Sequence, residues 1–374
     1  MTVGRADWNL WRPVLRQIQC RGLRFELYAT GTHFSPEFGQ TIGDVLADGW
    51  AVTERVEILL SSDSPQGMAK GTGLGILGFA QLFERSKPDL LLVLGDRLET
   101  LAVVVAALPF KLPVAHIHGG EISEGAIDDS VRHAITKMSH LHFAATELYA
   151  ARIRQMGEEP WRVFVTGSPA IDNLMQTPPS PAEDLAAAHG LNPYRPFLLV
   201  TYHPATLEYE DTTRQVANLL AALEQVGLPL LLTYPNSDPS GRQILHMFEE
   251  FSRRHPNVSI ASSLGGHYVT AMRHAAAMVG NSSSGIIEAA SFQLPVVNVG
   301  TRQAGRLRPR NVIDVGYEAN EIVEAVRRAL RPEFRESLRG LTNLYGGGLA
   351  ARAIVSILEG MTIDDRLLRK RFVS

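Results

Sequence analysis

Between the apolar run Ala275–Val279 and a helix-like segment, the chain reads Gly280-Asn281-Ser282-Ser283-Ser284-Gly285-Ile286-Ile287-Glu288. A strand, a tight small-residue turn and a helix in that order leave the first peptide N–H groups of the helix without internal partners, and such an end attracts anions. Serine hydroxyls and bare glycine let phosphate oxygens approach the backbone, and Glu288 is an acceptor suited to the paired hydroxyls of a ribose. Together they point to a nucleoside diphosphate. Taken alone, an ordinary serine-capped helix would be the commoner explanation.

Further reactive side chains fall where strands are expected to end. Gly95-Asp96-Arg97 follows the apolar run Leu90–Leu94, placing a carboxylate and a guanidinium at the carboxyl edge of a parallel sheet, where ligands bind in open α/β folds. As a rival reading, Asp96 caps the helix-like Leu98–Leu108. The next run enters His116-Ile117-His118-Gly119-Gly120-Glu121-Ile122-Ser123-Glu124-Gly125-Ala126-Ile127-Asp128-Asp129. Titratable groups at that density on a strand-to-helix connection suit proton transfer, because neighbouring charge and burial tune their proton affinity. The plainer alternatives are that Asp128 or Asp129 caps Ser130–Met138 and that one histidine is a satisfied core residue. No metal site is expected. In the later half, Thr201-Tyr202-His203-Pro204 and Tyr234-Pro235-Asn236 again put polar groups at strand ends. His203 suits acid–base work or phosphate neutralisation, and Arg302 and Arg306 suit phosphate or base contacts.

The elements that must position these groups form two similar series. Phe25–Ala29, Leu90–Leu94, Val114–Ile117, Leu141–Ala144 and Val163–Val165 read as buried parallel strands separated by helical periods. Phe197–Thr201, Leu228–Thr233, Val258–Ala261, Ala276–Val279 and Val296–Val299 repeat the rhythm. Only Met1-Thr2-Val3 precedes Gly4, so the opening strand looks clipped. The proline-rich Gln176–Pro181 breaks both helix and sheet and marks the hinge. The expected division is 1–175, joined by the C-terminal helix 359–374, and 176–358. The basic residues Arg366, Arg369, Lys370 and Arg371 read as a solvated helix face.

The 374 residues suit two domains, and 36 basic against 39 acidic residues give a formal charge of −3, which offers no footprint for nucleic acid or an anionic membrane. Cys20, the single cysteine, excludes an intrachain disulfide and is expected to be a small buried apolar residue in a cytoplasmic protein. No signal core or membrane-length apolar run stands out. No Gly-x-Gly-x-x-Gly fingerprint follows the first strand and no Walker lysine loop occurs, which disfavours dinucleotide oxidoreductases and P-loop NTPases, and a Gly-x-Ser-x-Gly nucleophile elbow is also missing.

Gly95-Asp96-Arg97, His116–Asp129, Arg132–Lys137, Gly167-Ser168-Pro169, His203-Pro204, Pro235-Asn236 and Asn281–Glu288 occur in this order, and in that combination the chain resembles the hydrolysing UDP-N-acetylglucosamine 2-epimerases of sialic- and legionaminic-acid pathways. The resemblance implies an α/β fold of the GT-B class, two Rossmann-like domains whose parallel sheets face a central cleft, with the nucleotide on the later domain. It implies Asp96 and Asp128 as catalytic carboxylates, with Glu121, His118 and His203 as further catalytic candidates. Arg5 and Arg97 would line the substrate site, Arg5 toward the nucleotide, with Gly120 and Asp172 also at the substrate. Ser282, Ser283, Ser284 and Gly285 would hold the diphosphate, Glu288 the ribose, and Asn236 and Arg302 the nucleotide surroundings. His118 stands where several relatives have glutamate, which leaves the proton-transferring acid open and fits a branch acting on a 2,4-diacetamido-trideoxy sugar.

The implied partner is a UDP-sugar, without cofactor, and the implied assembly is a homodimer or homotetramer. The implied reaction eliminates UDP to a glycal and adds water to release a free mannosamine-type sugar. A GT-B glycosyltransferase and a non-catalytic nucleotide-sugar binder are the competing readings, since fold alone does not separate them.

Overall fold

A computed structural model describes residues 1–36, 39–60, 62, 64–236, 238 and 240–373. By contact the chain divides into two units, one of Met1–Glu121, Ile127–Gln176 and Tyr345–Ser374, the other of Ile122–Ala126 and Thr177–Leu344. The return to the first unit begins at Tyr345, earlier than the expected 359. The helix Ala350–Glu359 therefore belongs with the first unit, where it packs on the helices Arg5–Cys20 and Pro169–Gln176. Its apolar face, Ala351, Ile354 and Val355, is buried against Trp8, Trp11 and Val14.

The first unit holds β1 (Tyr28–Thr30) and β2 (Glu54–Val56), paired in parallel, and a four-stranded parallel sheet. That sheet runs β3 (Leu91–Leu94), β4 (Val114–Ile117), β5 (Leu141–Ala144) and β6 (Val163–Val165), in that spatial order. β4 and β5 are buried at every residue, which is why they read as continuous apolar runs. The clipped opening strand is a single parallel bridge from Thr2 to Ala29, closed by Thr2 N–H to Tyr28 O and Thr30 N–H to Thr2 O at 2.9 and 3.0 Å. β2 went unread because Glu-Arg-Val has a single apolar residue and its middle residue faces solvent.

Two sequence expectations fail at the first unit's edges. Cys20 is exposed, because it ends its helix at a turn instead of facing the core. Lys370 does not belong to a solvated face: its Nζ donates to the carbonyls of Lys137 and Ser139 at 2.7 and 2.6 Å and pairs with buried Glu158 at 2.7 Å. Burial would raise the Glu158 pKa, but hydrogen bonds from His142, Lys137 and Lys370 outweigh it and hold the group down at about 2. Buried Arg162 donates to the carbonyls of Arg366, Leu367 and Arg369, so three peptide oxygens of the tail end on one guanidinium.

The second unit is a six-stranded parallel sheet of β7 (Leu198–Thr201), β8 (Leu230–Thr233), β9 (Val258–Ala261), β10 (Ala277–Gly280), β11 (Val296–Val299) and β12 (Val312–Val315). The spatial order is β12-β11-β10-β7-β8-β9, so the order reverses between β10 and β7, the position at which open α/β sheets bind ligands. β12 escaped notice because it is an edge strand whose Asp314 is exposed. Helices Thr212–Val226, Gly241–Arg254 and Ala319–Leu330 supply Val216, Leu219, Phe248, Ile322 and Val326 to one face of the sheet. Among the described residues, no helix is long and apolar enough to cross a membrane.

Candidate functional site

In the first unit the reactive groups gather at the carboxyl ends of β3, β4 and β6. β3 runs into Gly95, whose N–H bonds Ile117 O at 3.0 Å and whose carbonyl accepts the Nε2–H of His116 at 2.8 Å. His116 is fully buried, and burial above all presses its pKa down to about 3, so the ring is neutral and serves as a strut beneath the turn. Asp96 is not the cap of the following helix. Arg97 occupies the N-cap position, and the Asp96 carboxylate takes the Nη2 of Arg132. Arg132, 1% exposed, also donates Nη1 to Glu121 O at 2.9 Å and pairs with Asp129 at 3.6 Å.

β4 leads into His118, a non-glycine residue at φ +67°, a left-handed conformation that costs roughly 1–3 kcal/mol and persists only where the surroundings enforce it. They do. Its N–H bonds Phe143 O at 3.1 Å, its Nδ1 lies 2.6 Å from Glu121 Oε1, and its Nε2 lies 2.9 Å from Ser168 Oγ. Gly120, at φ +76°, admits no side chain, since a Cβ would lie 2.4 Å from Tyr149 O, and its carbonyl accepts Arg152 Nη1 at 2.5 Å. His118 and Glu121 are 6% and 1% exposed, whereas Asp96, Arg97 and Asp128 are partly open. Asp128 is the first residue of the helix Asp128–Met138, four positions before Arg132, so neither it nor Asp129 precedes the helix as a cap. Arg5, half-buried, opens the helix Arg5–Cys20, whose start is held by Asp7 accepting from Val3 and Gly4 N–H at 2.8 Å each.

Asp172 departs from its expected role at the substrate. It is 1% exposed, and its two carboxylate oxygens accept the N–H groups of Ala350 and Ala351 at 3.0 and 2.9 Å, capping that helix.

The second unit builds its site around the turn after β10. Gly280 has φ +134° and a Cβ there would lie 2.0 Å from Thr201 O, so the turn requires glycine. Asn281, 1% exposed, clamps the turn after β7: its Oδ1 accepts His203 N–H at 2.7 Å and its Nδ2 donates to His203 O at 2.8 Å. The Asn281 carbonyl in turn accepts Gln303 Nε2 at 2.9 Å and Arg302 Nη1 at 3.4 Å. His203 Nδ1 accepts Asn236 N–H at 3.0 Å, which in the neutral ring leaves the proton on Nε2. Asn236 Nδ2 donates to Asp238 at 2.5 Å.

Ser282 is the N-cap of the helix Ser283–Ile287, its Oγ bonding Ser284 N–H at 3.4 Å and Ser284 Oγ at 2.8 Å. That helix spans five residues before tightening into a 3-10 turn, so anion attraction here rests on local N–H groups, not on a long macrodipole. Gly285 is buried, and its missing side chain serves packing, since a Cβ would lie 2.9 Å from Val296 Cγ1. Glu288 accepts from the Tyr268 hydroxyl. The structure thus gathers His203, Asn236, Ser282–Gly285, Glu288 and Arg302 in the second unit, and Arg5, Asp96, Arg97, His118, Gly120, Glu121, Asp128 and Asp172 in the first.

Sequence reasoning passed over Arg132, Ser168 and Asn281 as site residues. The signal for Arg132 was its place four residues after Asp128 on a helix that also carries Val131 and Ile135 inward; an arginine there must find an acid.

The family profile described as UDP-N-acetylglucosamine 2-epimerase matches residues 16–359. The chain is 36% identical over 373 residues to the UDP-N,N'-diacetylbacillosamine 2-epimerase (hydrolyzing) of Legionella pneumophila, covering 99% of this chain and 97% of that protein. It is 36% identical to the GDP/UDP-N,N'-diacetylbacillosamine 2-epimerase (hydrolyzing) of Campylobacter jejuni, covering 99% and 96%. Among solved structures, the UDP-GlcNAc 2-epimerase of Neisseria meningitidis bound to UDP-GlcNAc superposes with a TM-score of 0.82 at 21% identity, covering 96% of this chain and 98% of that one. The two α/β bodies are accordingly of the GT-B class expected from the sequence.

Proposed function

We propose, from the premise that this chain belongs to the UDP-N-acetylglucosamine 2-epimerase family, that it is a hydrolysing 2-epimerase whose substrate is a UDP-linked 2,4-diacetamido-trideoxy sugar. The observation that carries the reading is the pairing of two first-unit carboxylates, Asp96 and Glu121, with partners of different kinds. Asp96 faces the guanidinium of Arg132, a donor only, and Glu121 faces the imidazole of His118, whose two nitrogens can donate or accept. Full-length identity to two relatives named as hydrolysing diacetylbacillosamine epimerases supports the choice of sugar.

C2 of a sugar nucleotide has no adjacent carbonyl, so its hydrogen is not acidic and direct enolisation is closed. The C1–O bond to UDP breaks as a carboxylate takes the C2 hydrogen, and the electron pair of that C–H bond becomes the C1–C2 double bond of a glycal. Water then adds, its hydroxyl at C1 and a proton at C2 from the opposite face. The sum is UDP-sugar plus water giving UDP and the free C2-epimer. Two faces of one carbon need two proton-exchanging groups, and Asp96, Asp128 and Glu121 are the first-unit carboxylates available for the task. On the second unit, Ser282–Ser284 and their N–H groups bind the departing diphosphate, Arg302 adds positive charge, and Glu288 takes the ribose. His203, carrying its proton on Nε2, is oriented to donate to a phosphate oxygen.

Incubation with UDP-N,N'-diacetylbacillosamine and with UDP-N-acetylglucosamine in deuterated water, followed by proton NMR, tests the reading. Free sugar with deuterium at C2, formed without any acceptor and faster from the diacetamido substrate, is expected. Turnover only after an acceptor is added would make the protein a transferase, and product retaining its C2 hydrogen would exclude the elimination. The expected homodimer or homotetramer is read by sedimentation of the same sample.

A further inference from the structure

Ser168 sits just past β6, 0% exposed and far along the chain from Asp96 and Glu121, yet its hydroxyl ends on the same network. Its Oγ accepts the N–H of Ala170 at 3.2 Å and lies 2.9 Å from His118 Nε2. The opposite ring nitrogen faces Glu121 Oε1 at 2.6 Å; Glu121 O accepts Arg132 Nη1 at 2.9 Å, and Arg132 Nη2 reaches Asp96. One line of hydrogen bonds therefore runs from the end of β6, through the end of β4 and the helix Asp128–Met138, to the end of β3.

We propose that Ser168 and His118 are positioning residues that set two of the three proton-transferring candidates of the first unit, Glu121 directly and Asp96 through Arg132. This rests on the function proposed above. The chemistry is a choice of tautomer. A carboxylate can only accept, so His118 must present Nδ1–H to Glu121, and the neutral ring then has a lone pair on Nε2. Ser168 fills that lone pair with its hydroxyl proton, its own oxygen being oriented by Ala170 N–H. Without the hydroxyl nothing favours that tautomer from the far side, and the other form would turn a lone pair toward the Glu121 carboxylate. Glu121 would then shift, and its peptide carbonyl, one seat of Arg132, would shift with it. The left-handed backbone of His118 is the conformation that lets a single ring span the serine and the glutamate.

The test is Ser168→Ala in the full chain, with kcat and KM on the UDP-sugar, the melting temperature, and histidine 15N spectra in which His118 is identified by its loss in His118→Asn. In the wild type the His118 ring is expected as the neutral Nδ1–H tautomer. In Ser168→Ala that signature is lost or mixed, and kcat falls roughly ten- to a hundredfold at nearly unchanged KM, the size expected of misplaced reacting groups. Ser168→Thr, which keeps a hydroxyl, recovers part of the rate. A lower melting temperature with kcat and tautomer intact would reduce Ser168 to a packing residue and overturn the proposal. Should Ser168→Ala fail to fold, the wild-type spectrum alone decides, because an Nε2–H ring or an imidazolium there contradicts it. A wild type that releases no free sugar but shows the Nδ1–H ring would sink the epimerase reading and leave the tautomer assignment standing.

Discussion

The two units hold their functional groups by opposite means. In the first, ionisable side chains lock one another: Asp96 on Arg132, Glu121 on His118, Glu158 on His142, Lys137 and Lys370. In the second, neutral groups and peptide atoms do the holding: Asn281 on both sides of the His203 backbone, Asn236 N–H on the His203 ring, Ser282 on its own helix. In the proposed reaction, a unit that moves protons must hold its acids and bases in fixed places near the reacting carbon while still admitting one water. A unit that receives a dianionic leaving group needs donors already aimed, and peptide N–H groups reorganise least.

The largest effect that should separate the units comes from Asp96→Asn. Turnover is expected to fall by roughly a hundred- to ten-thousandfold, with UDP affinity by calorimetry almost unmoved, and Asp128→Asn should behave likewise. Near-normal turnover in both would end the assignment. Asn281→Ala is the converse, loosening His203 and leaving its buried peptide groups short of partners. A weakening of UDP binding worth about 1–3 kcal/mol is expected, with C2 deuteration of whatever product forms still complete. If Asp96→Asn and Asn281→Ala damaged binding equally, the division of labour would be wrong.

Acid should also separate them, because neutral buried histidines concentrate in the first unit. Burial holds His116 at about 3 and His140 at about 4, and it lowers His142 as well. A histidine depressed in the folded state contributes stability that is complete above its unfolded value near 6.5 and is lost as pH falls toward the folded value. Each such group can contribute up to ~1.4 kcal/mol per pH unit in that window. Trp8, Trp11, Trp50 and Trp161 all lie in the first unit, so tryptophan fluorescence in urea reports that unit alone. Its midpoint should drop between pH 7 and 5, while hydrogen exchange in β7 and β10 changes less; an equal response would erase the contrast. The smallest expected effect is Ser282→Ala, where loss of one cap costs about 1 kcal/mol of local stability, visible as faster amide exchange at Ser284.

Much of this arrangement was legible in the chain because core-facing parallel strands are written as largely apolar runs, and β4, β5, β6, β9 and β11 were bounded to the residue. β2 and β12 were not, since Glu54 and exposed Arg55 in β2 and exposed Asp314 in β12 break that pattern. The density of titratable groups after β4 was visible in the sequence itself. Asp172 was misjudged because a carboxylate that caps a helix starting at Ala350 depends on a contact between distant parts of the chain, which no local spacing encodes. Arg132, Ser168 and Asn281 escaped for the same reason: each acts on groups at other strand ends, and their partners emerge only when those ends are side by side.

The short piece Ile122–Ala126 belongs with the second unit although its flanks belong with the first, Glu124 N–H bonding Ala304 O at 3.1 Å and Arg306 Nη2 reaching Ser123 Oγ at 3.3 Å. No single cut therefore yields two whole pieces. A recombinant 177–344 fragment would leave Gly305 and Arg306 facing solvent where Ile122 and Ser123 belong, and supplying a synthetic 122–126 peptide in trans should raise its melting temperature.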